Sequence, residues 1–398
     1  MRSWHFSEQA YTPYTDFEGP IRLTVPSEIV DPKMVLQIKD WRLEEWCLSD
    51  ELGLNIMINE HHATTNTLST SVLQDLAVIA RATKKARLLS LGVLITNRLD
   101  PLRVAEEAAM IDILSRGRLE LGLVRGANWE PFSSNINPVR ARERYEEFFN
   151  LVVKTLSTTD GPFPWEGEFF QYRSVNCIPR PWQRKVPMWI PGHSADSARW
   201  AARNDITFAT FLCGYLAKIL FDAYRDEYQK VHGRPAPEEK LAYLACLTVA
   251  DSEREAEKRA QIMRPYLTSI GRIQQWASNP PGYQSPAFYA KALKKSQRGN
   301  ITGPLIPTKD GGGINVATCS LEDLRDTGML VWGTPDTVTK KLKEFREGVG
   351  GFGQLLFMPD CHRISHADIL DSLKLYATEV VPRFEGFQPV EQPQKISA

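Results

Sequence analysis

Short apolar runs alternate with amphipathic stretches of helical spacing from about residue 34 to residue 380, and this alternation restricts the chain to a parallel-sheet architecture. Parallel strands need a crossover of a dozen or more residues between them, and a helix is the usual crossover. Met34–Leu52 has helical spacing and stops at Gly53; the strand 54–59 follows. Ser69–Thr83 is the next amphipathic helix, with Ser69 or Ser71 available as its cap, and Arg87–Thr96 is a buried-strand run. Pro101 stands where a first helical residue tolerates it, and that helix runs to about Ser115. Strand-like Arg118–Val124, Val186–Pro191, Ile206–Phe211, Leu241–Ala250 and Gln354–Met358 then alternate with helices at Val139–Leu156, Asp196–Arg203, Leu216–Val231, Ser252–Met263, Pro335–Arg346 and Ala367–Val380. About eight such units favour a closed (β/α)8 barrel of the α/β class over an open sheet.

A chain of 398 residues is long enough for one barrel with insertions, and residues 1–398 are read as a single domain. The rhythm breaks between 267 and 327, where Pro280-Pro281-Gly282, Gly303-Pro304 and Gly311-Gly312-Gly313 fall. This long insertion lies between the seventh strand and the helix near 340; it is read as a lid over the barrel mouth, with surface decoration or an oligomer contact as the alternative. Residues 385–398 form a C-terminal tail. Lys plus Arg and Asp plus Glu both number 48, so bulk charge draws the chain to neither nucleic acid nor an anionic membrane. No apolar run approaches the roughly 20 residues of a membrane span, and the first residues hold no apolar signal core, so a cytoplasmic location is expected. The six cysteines are scattered without a C-x-x-C pair, as reduced thiols would be.

Three clusters carry chemistry. Glu60-His61-His62 stands at the carboxyl end of the strand 54–59, the end at which barrels build active sites. His61 is the candidate proton-transfer residue, because imidazole titrates near neutrality, while His62 is read as structural. Arg125 ends the strand 118–124 and is followed by Gly126, a pairing that admits an anionic group closely; a salt-bridge role is the alternative. Arg140, Arg142 and Arg144 begin the next helix. Pro191-Gly192-His193-Ser194-Ala195-Asp196-Ser197 turns from a strand into a helix start, where free amides and two hydroxyls suit a phosphate; Ser194 as a plain N-cap is the bland reading. There is no Walker lysine and no G-x-G-x-x-G, so a mononucleotide phosphate suits it better than a dinucleotide. No metal site is expected, since H-x-H and H-E-x-x-H are absent and His362 and His366 read as surface residues.

Together these segments resemble the bacterial luciferase-like flavin-dependent monooxygenases. The resemblance rests on Glu60-His61-His62, Leu91-Gly92-Val93, Pro101 with Ala105-Glu106, and above all on the run from Asp112 to Gly122 (DILSRGRLELG) followed by Arg125-Gly126. Pro187-Met188-Trp189-Ile190 leading to Ser194 and Ser197, and the late Gly333-Thr334-Pro335-Asp336-Thr337-Val338, complete it. The resemblance implies a TIM barrel that uses reduced flavin mononucleotide (FMN) and O2 to oxygenate a small organic substrate through a flavin C4a-(hydro)peroxide. It further implies a separate NAD(P)H:flavin reductase as the source of reduced FMN, and a homodimer. Arg125, Arg140, Gly192, Ser194 and Ser197 would hold the phosphate, Gly92 and Val93 would lie under the flavin ring at a position where a non-prolyl cis peptide is common, and His61 would be catalytic. Val124 occupies the position of the luciferases' reactive cysteine and His193 that of an acidic residue, so light emission from a long-chain aldehyde is not implied. Two other functions fit the same fold: a deazaflavin (F420)-dependent oxidoreductase and a non-catalytic flavin-binding protein. A metal-dependent barrel hydrolase is disfavoured by the missing ligand pairs.

Overall fold

The computed structural model describes residues 1–14, 22–126, 129–137, 140–269, 305–361 and 363–384. Its strands are β1 (Arg2–Ser7), β2 (Asn55–Ile58), β3 (Leu88–Leu94), β4 (Leu119–Val124), β5 (Phe163–Glu166), β6 (Gln171–Val175), β7 (Met188–Pro191), β8 (Thr207–Phe211), β9 (Leu241–Val249), β10 (Leu305–Pro307), β11 (Gly313–Asn315), β12 (Leu330–Gly333) and β13 (Gln354–Met358). Eight of them, in the order β1-β2-β3-β4-β7-β8-β9-β13, pair in parallel, and β13 returns to β1 to close the barrel. These strands are apolar almost throughout because helices cover the outside and side chains fill the inside; all nine residues of β9 are buried. Each Leu or Ile so enclosed contributes roughly 1.5–3 kcal/mol.

The helices are α1 (Pro32–Glu51), α2 (Val72–Ala82), α3 (Pro101–Leu114), α4 (Trp129–Ser133), α5 (Ala141–Ser157), α6 (Ala195–Arg203), α7 (Leu216–His232), α8 (Glu253–Ser269), α9 (Leu321–Asp326), α10 (Pro335–Gly348) and α11 (His366–Leu375). Starts and stops follow local chemistry. Asp31 and Asp100 cap α1 and α3 ahead of a proline, and Gly233 closes α7 with φ 68°. The cap expected for α2 is different: Ser71 makes no side-chain cap bond, and Glu60 accepts from the Val72 amide at 3.1 Å instead.

The first strand escapes the sequence pattern. β1 reads Arg-Ser-Trp-His-Phe-Ser, and its polar members are buried against distant partners: Trp4 donates to Gln354 at 2.7 Å and His5 meets Ser49 at 2.8 Å. The excursion between β9 and β13 is also more structured than expected. It begins with α8, returns through the β10–β11 hairpin and α9, and adds β12, which pairs in parallel with Cys246–Val249 at the end of β9. Glu253, the first residue of α8, accepts from the Thr334 amide and hydroxyl at 3.1 and 2.9 Å and from the Thr337 hydroxyl at 2.5 Å, joining the start of α8 to the start of α10. Within the segment read as a lid, residues 270–304 lie outside the described residues, as do the tail 385–398 and His362. His366 is no free surface residue: its two nitrogens meet Glu45 at 2.8 Å and Glu44 at 3.0 Å, and its ring stacks on Trp41.

The run Asp112–Gly122 is scaffold. The buried Arg118 guanidinium donates to the carbonyls of Ser115, Ala86, Ala80 and Thr83 at 2.6–3.0 Å and to the Thr83 hydroxyl at 3.0 Å, tying the end of α2 to the end of α3. Burial, only partly offset by the Asp50 carboxylate, lowers its pKa to about 10. Asp112 accepts from the Gln183 amide and side chain, both at 2.8 Å.

Candidate active site

A cavity of about 590 Å³ opens at the carboxyl ends of the barrel strands. Its floor is apolar, with Phe6, Met57, Leu91, Ile190, Leu244 and Leu356 projecting from the strands. Polar groups line it as well.

One side is built on α6. The chain turns at Gly192, where an added Cβ would lie 3.0 Å from both the Phe208 ring and the Ser197 Cβ, so a side chain there would need one of them to give way. Ser194 then caps α6, accepting from the Ser197 amide at 3.2 Å, and the two hydroxyls lie 2.9 Å apart. Arg125 reaches the same wall from the end of β4; it is exposed and has no ion-pair partner among the described residues. Arg142 and Tyr145 of α5 complete it, with the Tyr145 hydroxyl donating to the Leu123 carbonyl at 2.9 Å. A helix start, two hydroxyls and two guanidinium groups, of which Arg142 is paired with Glu146 at 3.0 Å, are groups that could hold an anion here.

β3 and β4 come unusually close. The Leu91–Gly92 peptide is cis, and the register between the strands shifts from Leu91 to Val93. A Cβ on Gly92 would be 2.6 Å from the Gly122 carbonyl oxygen, and one on Gly122 would be 2.3 Å from the Ser90 carbonyl oxygen. Glycine is required on both sides of this approach.

His61 lines the cavity from beyond the end of β2. Its Nδ1 is 2.6 Å from Oε1 of Glu130, a carboxylate buried in α4. The bond fixes the tautomer, with Nδ1 donating and Nε2 left over. Burial works against the imidazolium, but Glu130 and then Glu8 outweigh it, so His61 holds its proton more tightly than a free histidine. Trp129 lies beside the ring at 5.8 Å between centroids, with the Arg22 guanidinium 4.6 Å above the indole. Glu8, Asn59 and Tyr266 close this side. Glu60 is buried behind it and holds Arg98 at 2.8 Å and His62 at 3.3 Å; burial raises its pKa, and those partners with the Val72 amide bring it below the usual carboxylate value.

The cavity therefore brings together six of the residues singled out in the sequence: His61, Gly92, Arg125, Gly192, Ser194 and Ser197. Two stand elsewhere. Val93 is fully buried in the core, and Arg140 lies on the surface, paired with Glu168 at 2.7 Å. Arg142, two residues on, lines the cavity instead. Glu8, Arg22 and Tyr266, which line the cavity, and Glu130, buried against His61, carried no sequence signal, because each sits outside the apolar periodicity or comes from a distant helix. Among the described residues no group of three or more His, Cys, Asp or Glu is placed to hold a metal ion, and no helix is long and apolar enough to cross a membrane.

Comparison with known proteins bears on this arrangement. A trigonelline monooxygenase oxygenase component of Acinetobacter baylyi, described as flavin-dependent, is 26% identical over 248 residues, which is 61% of this chain and 68% of that protein. The oxygenating constituent of 3,6-diketocamphane monooxygenase of Pseudomonas putida, solved with FMN, superposes with TM-score 0.70 at 20% identity, covering 96% of this chain and 98% of the other. An F420-dependent secondary alcohol dehydrogenase shares the fold with TM-score 0.64 at 13% identity, over 96% of this chain and 98% of the other. The sequence profile of the luciferase-like monooxygenases matches residues 48–351, well over half of the chain, and the chain belongs to that family.

Proposed function

We propose that this protein is a monooxygenase that uses reduced FMN and O2 to oxygenate a small organic substrate. The observation that carries the reading is that one apolar-floored cavity is lined both by the Arg125, Ser194 and Ser197 cluster and by His61. The residues present fit the cofactor. Arg125, Arg142, Ser194, Ser197 and the start of α6 would hold the phosphate, in the cradle that Gly192 leaves open. The apolar floor and the flat Leu91-Gly92 segment would receive the ring. When bound, reduced FMN supplies the activation of O2 and the transfer of one oxygen atom. The protein excludes water from the floor, orients both partners and, at His61, holds a proton whose position is fixed by Glu130.

A separate NAD(P)H:flavin reductase is the expected source of reduced FMN, as the oxygenase-component description of the Acinetobacter relative suggests. The F420-dependent structural neighbour supports a second reading, hydride transfer with a deazaflavin. Anaerobic titration with each reduced cofactor, followed by mixing with aerated buffer, separates the two. Binding of reduced FMN with re-oxidation slower than that of free reduced FMN is the expected result. Binding of reduced deazaflavin alone would overturn the monooxygenase reading. His61→Ala is expected to leave FMN affinity within about twofold and to lower product yield per reduced flavin by roughly 10²-fold or more; an unchanged yield would remove His61 from the chemistry.

A further inference from the structure

Glu146 places a carboxylate among groups otherwise suited to an anion. It lines the cavity one helical turn after Arg142 on α5, and its Oε1 accepts from Arg142 Nε at 3.0 Å. The bond uses that nitrogen alone, and the two Nη groups of Arg142 meet no partner among the described residues. The turn of α5 that carries the pair is fixed on the barrel. Arg144 donates to the carbonyls of Ile95 and Arg98, beyond the end of β3, at 3.1 and 2.7 Å. The Tyr145 hydroxyl donates to the Leu123 carbonyl of β4 at 2.9 Å. The neighbouring carboxylate, Glu147, is committed to the turn between β5 and β6, accepting from the amides of Glu168, Phe169 and Phe170 at 2.9–3.0 Å. Arg142 and Glu146 do little for the helix itself. Arg142 stands in the first turn of α5, where the helix dipole disfavours a cation, and arginine ahead of glutamate is the weaker order for such a pair.

We propose that Glu146 is a positioning residue: by holding Arg142 at Nε, it presents the two Nη groups of that guanidinium to the phosphate of the cofactor. The inference rests on the reading of this cavity as a flavin site and adds a residue to it. A guanidinium carries its N–H donors in one rigid plane, so a carboxylate that takes Nε leaves the edge formed by the two Nη groups for a second oxyanion. Fixing a flexible side chain before the ligand arrives removes part of the ordering cost of binding. The charge of Glu146 acts in the opposite sense, since a carboxylate beside a phosphate repels it. Removal of Glu146 therefore weakens phosphate binding if the residue positions Arg142, and tightens it if the residue is only a nearby charge.

The test is the affinity of the full-length protein for reduced FMN and for reduced riboflavin, which lacks the phosphate, by anaerobic fluorescence titration at fixed ionic strength. Glu146→Ala is expected to weaken reduced FMN roughly three- to tenfold, the cost of ordering one long side chain, and to leave reduced riboflavin within about twofold. Glu146→Gln, whose amide oxygen still accepts from Nε, is expected to return FMN affinity to within about twofold of wild type. With Arg142→Ala already in place, Glu146→Ala is expected to cause no further loss, because the side chain it positions is gone. Unchanged or tighter FMN binding in Glu146→Ala overturns the inference. So does a Gln variant as weak as the Ala variant, or a full loss on removing Glu146 from the Arg142→Ala protein. Equal affinity of the wild type for the two reduced flavins is a separate failure: it would overturn the phosphate site of the proposed function and this inference with it.

Discussion

At the scale of single residues, the anion wall separates arginines that look alike in the sequence. Arg125 was legible because it ends a strand beside a glycine, a position that barrels give to the mouth. Arg140, Arg142 and Arg144 were not separable, since a two-residue spacing at a helix start does not say which guanidinium faces inward. The fold distributes them: Arg140 pairs with Glu168 on the surface, Arg142 lines the cavity, and Arg144 donates to the carbonyls of Ile95 and Arg98 at 3.1 and 2.7 Å. Arg125→Ala is expected to weaken reduced FMN binding about 10- to 100-fold, the range for losing hydrogen bonds to a charged group. Arg140→Ala is expected to stay within about twofold. Anaerobic fluorescence titration of both variants makes the comparison, and equal losses would mean that Arg140 also reaches the phosphate.

At the scale of elements, the most family-like stretch of sequence is a structural clamp. Asp112 and Arg118 bind the segments at the amino end of the barrel together, and Gly122, further along β4, sets how closely that strand can approach β3. Gly122→Ala would drive a Cβ to 2.3 Å from the Ser90 carbonyl, a backbone atom that cannot swing away. A loss of about 1–3 kcal/mol in urea unfolding is expected, as for overpacked cores, and a wild-type midpoint would show that the strands part without cost. Helices and central strands were readable because burial imposes a period on them. β1 was not, since its polar side chains are satisfied by residues 44 and 350 positions away, at Ser49 and Gln354. The carboxylates Glu8 and Glu130 were hidden for the same reason: what brings them to Asn59 and His61 is a contact, and contacts between distant segments leave no local pattern.

At the scale of the whole molecule, the closed ring leaves its last strand and helix to be secured against its first. His366 of α11, between Glu44 and Glu45 of α1, is part of that closure. The Glu45 bond raises its pKa most, burial opposes, and Glu44 adds to the rise. A raised histidine stabilises the fold fully below its unfolded value of 6.5 and loses that contribution as pH climbs past the folded value. The stability gap between wild type and His366→Gln is therefore expected to be wide near about pH 6 and to narrow toward about pH 8.5. Chemical denaturation at both values measures it, and a gap that widens with pH would reverse the assignment. The resemblance also leads us to expect a homodimer, which light scattering on a sizing column can check.

The bonds from Glu253 to Thr334 and Thr337 have a bearing on how such a chain can change. They knot together the two ends of an eighty-residue excursion at its base, beside the place where β12 lies along β9. Whatever is spliced into or trimmed from that excursion, the barrel meets the same two anchor points. Lengthening a flexible stretch within a closed loop costs only about 0.6 kcal/mol for each doubling. New sequence can thus be tried within that excursion at little risk to the frame.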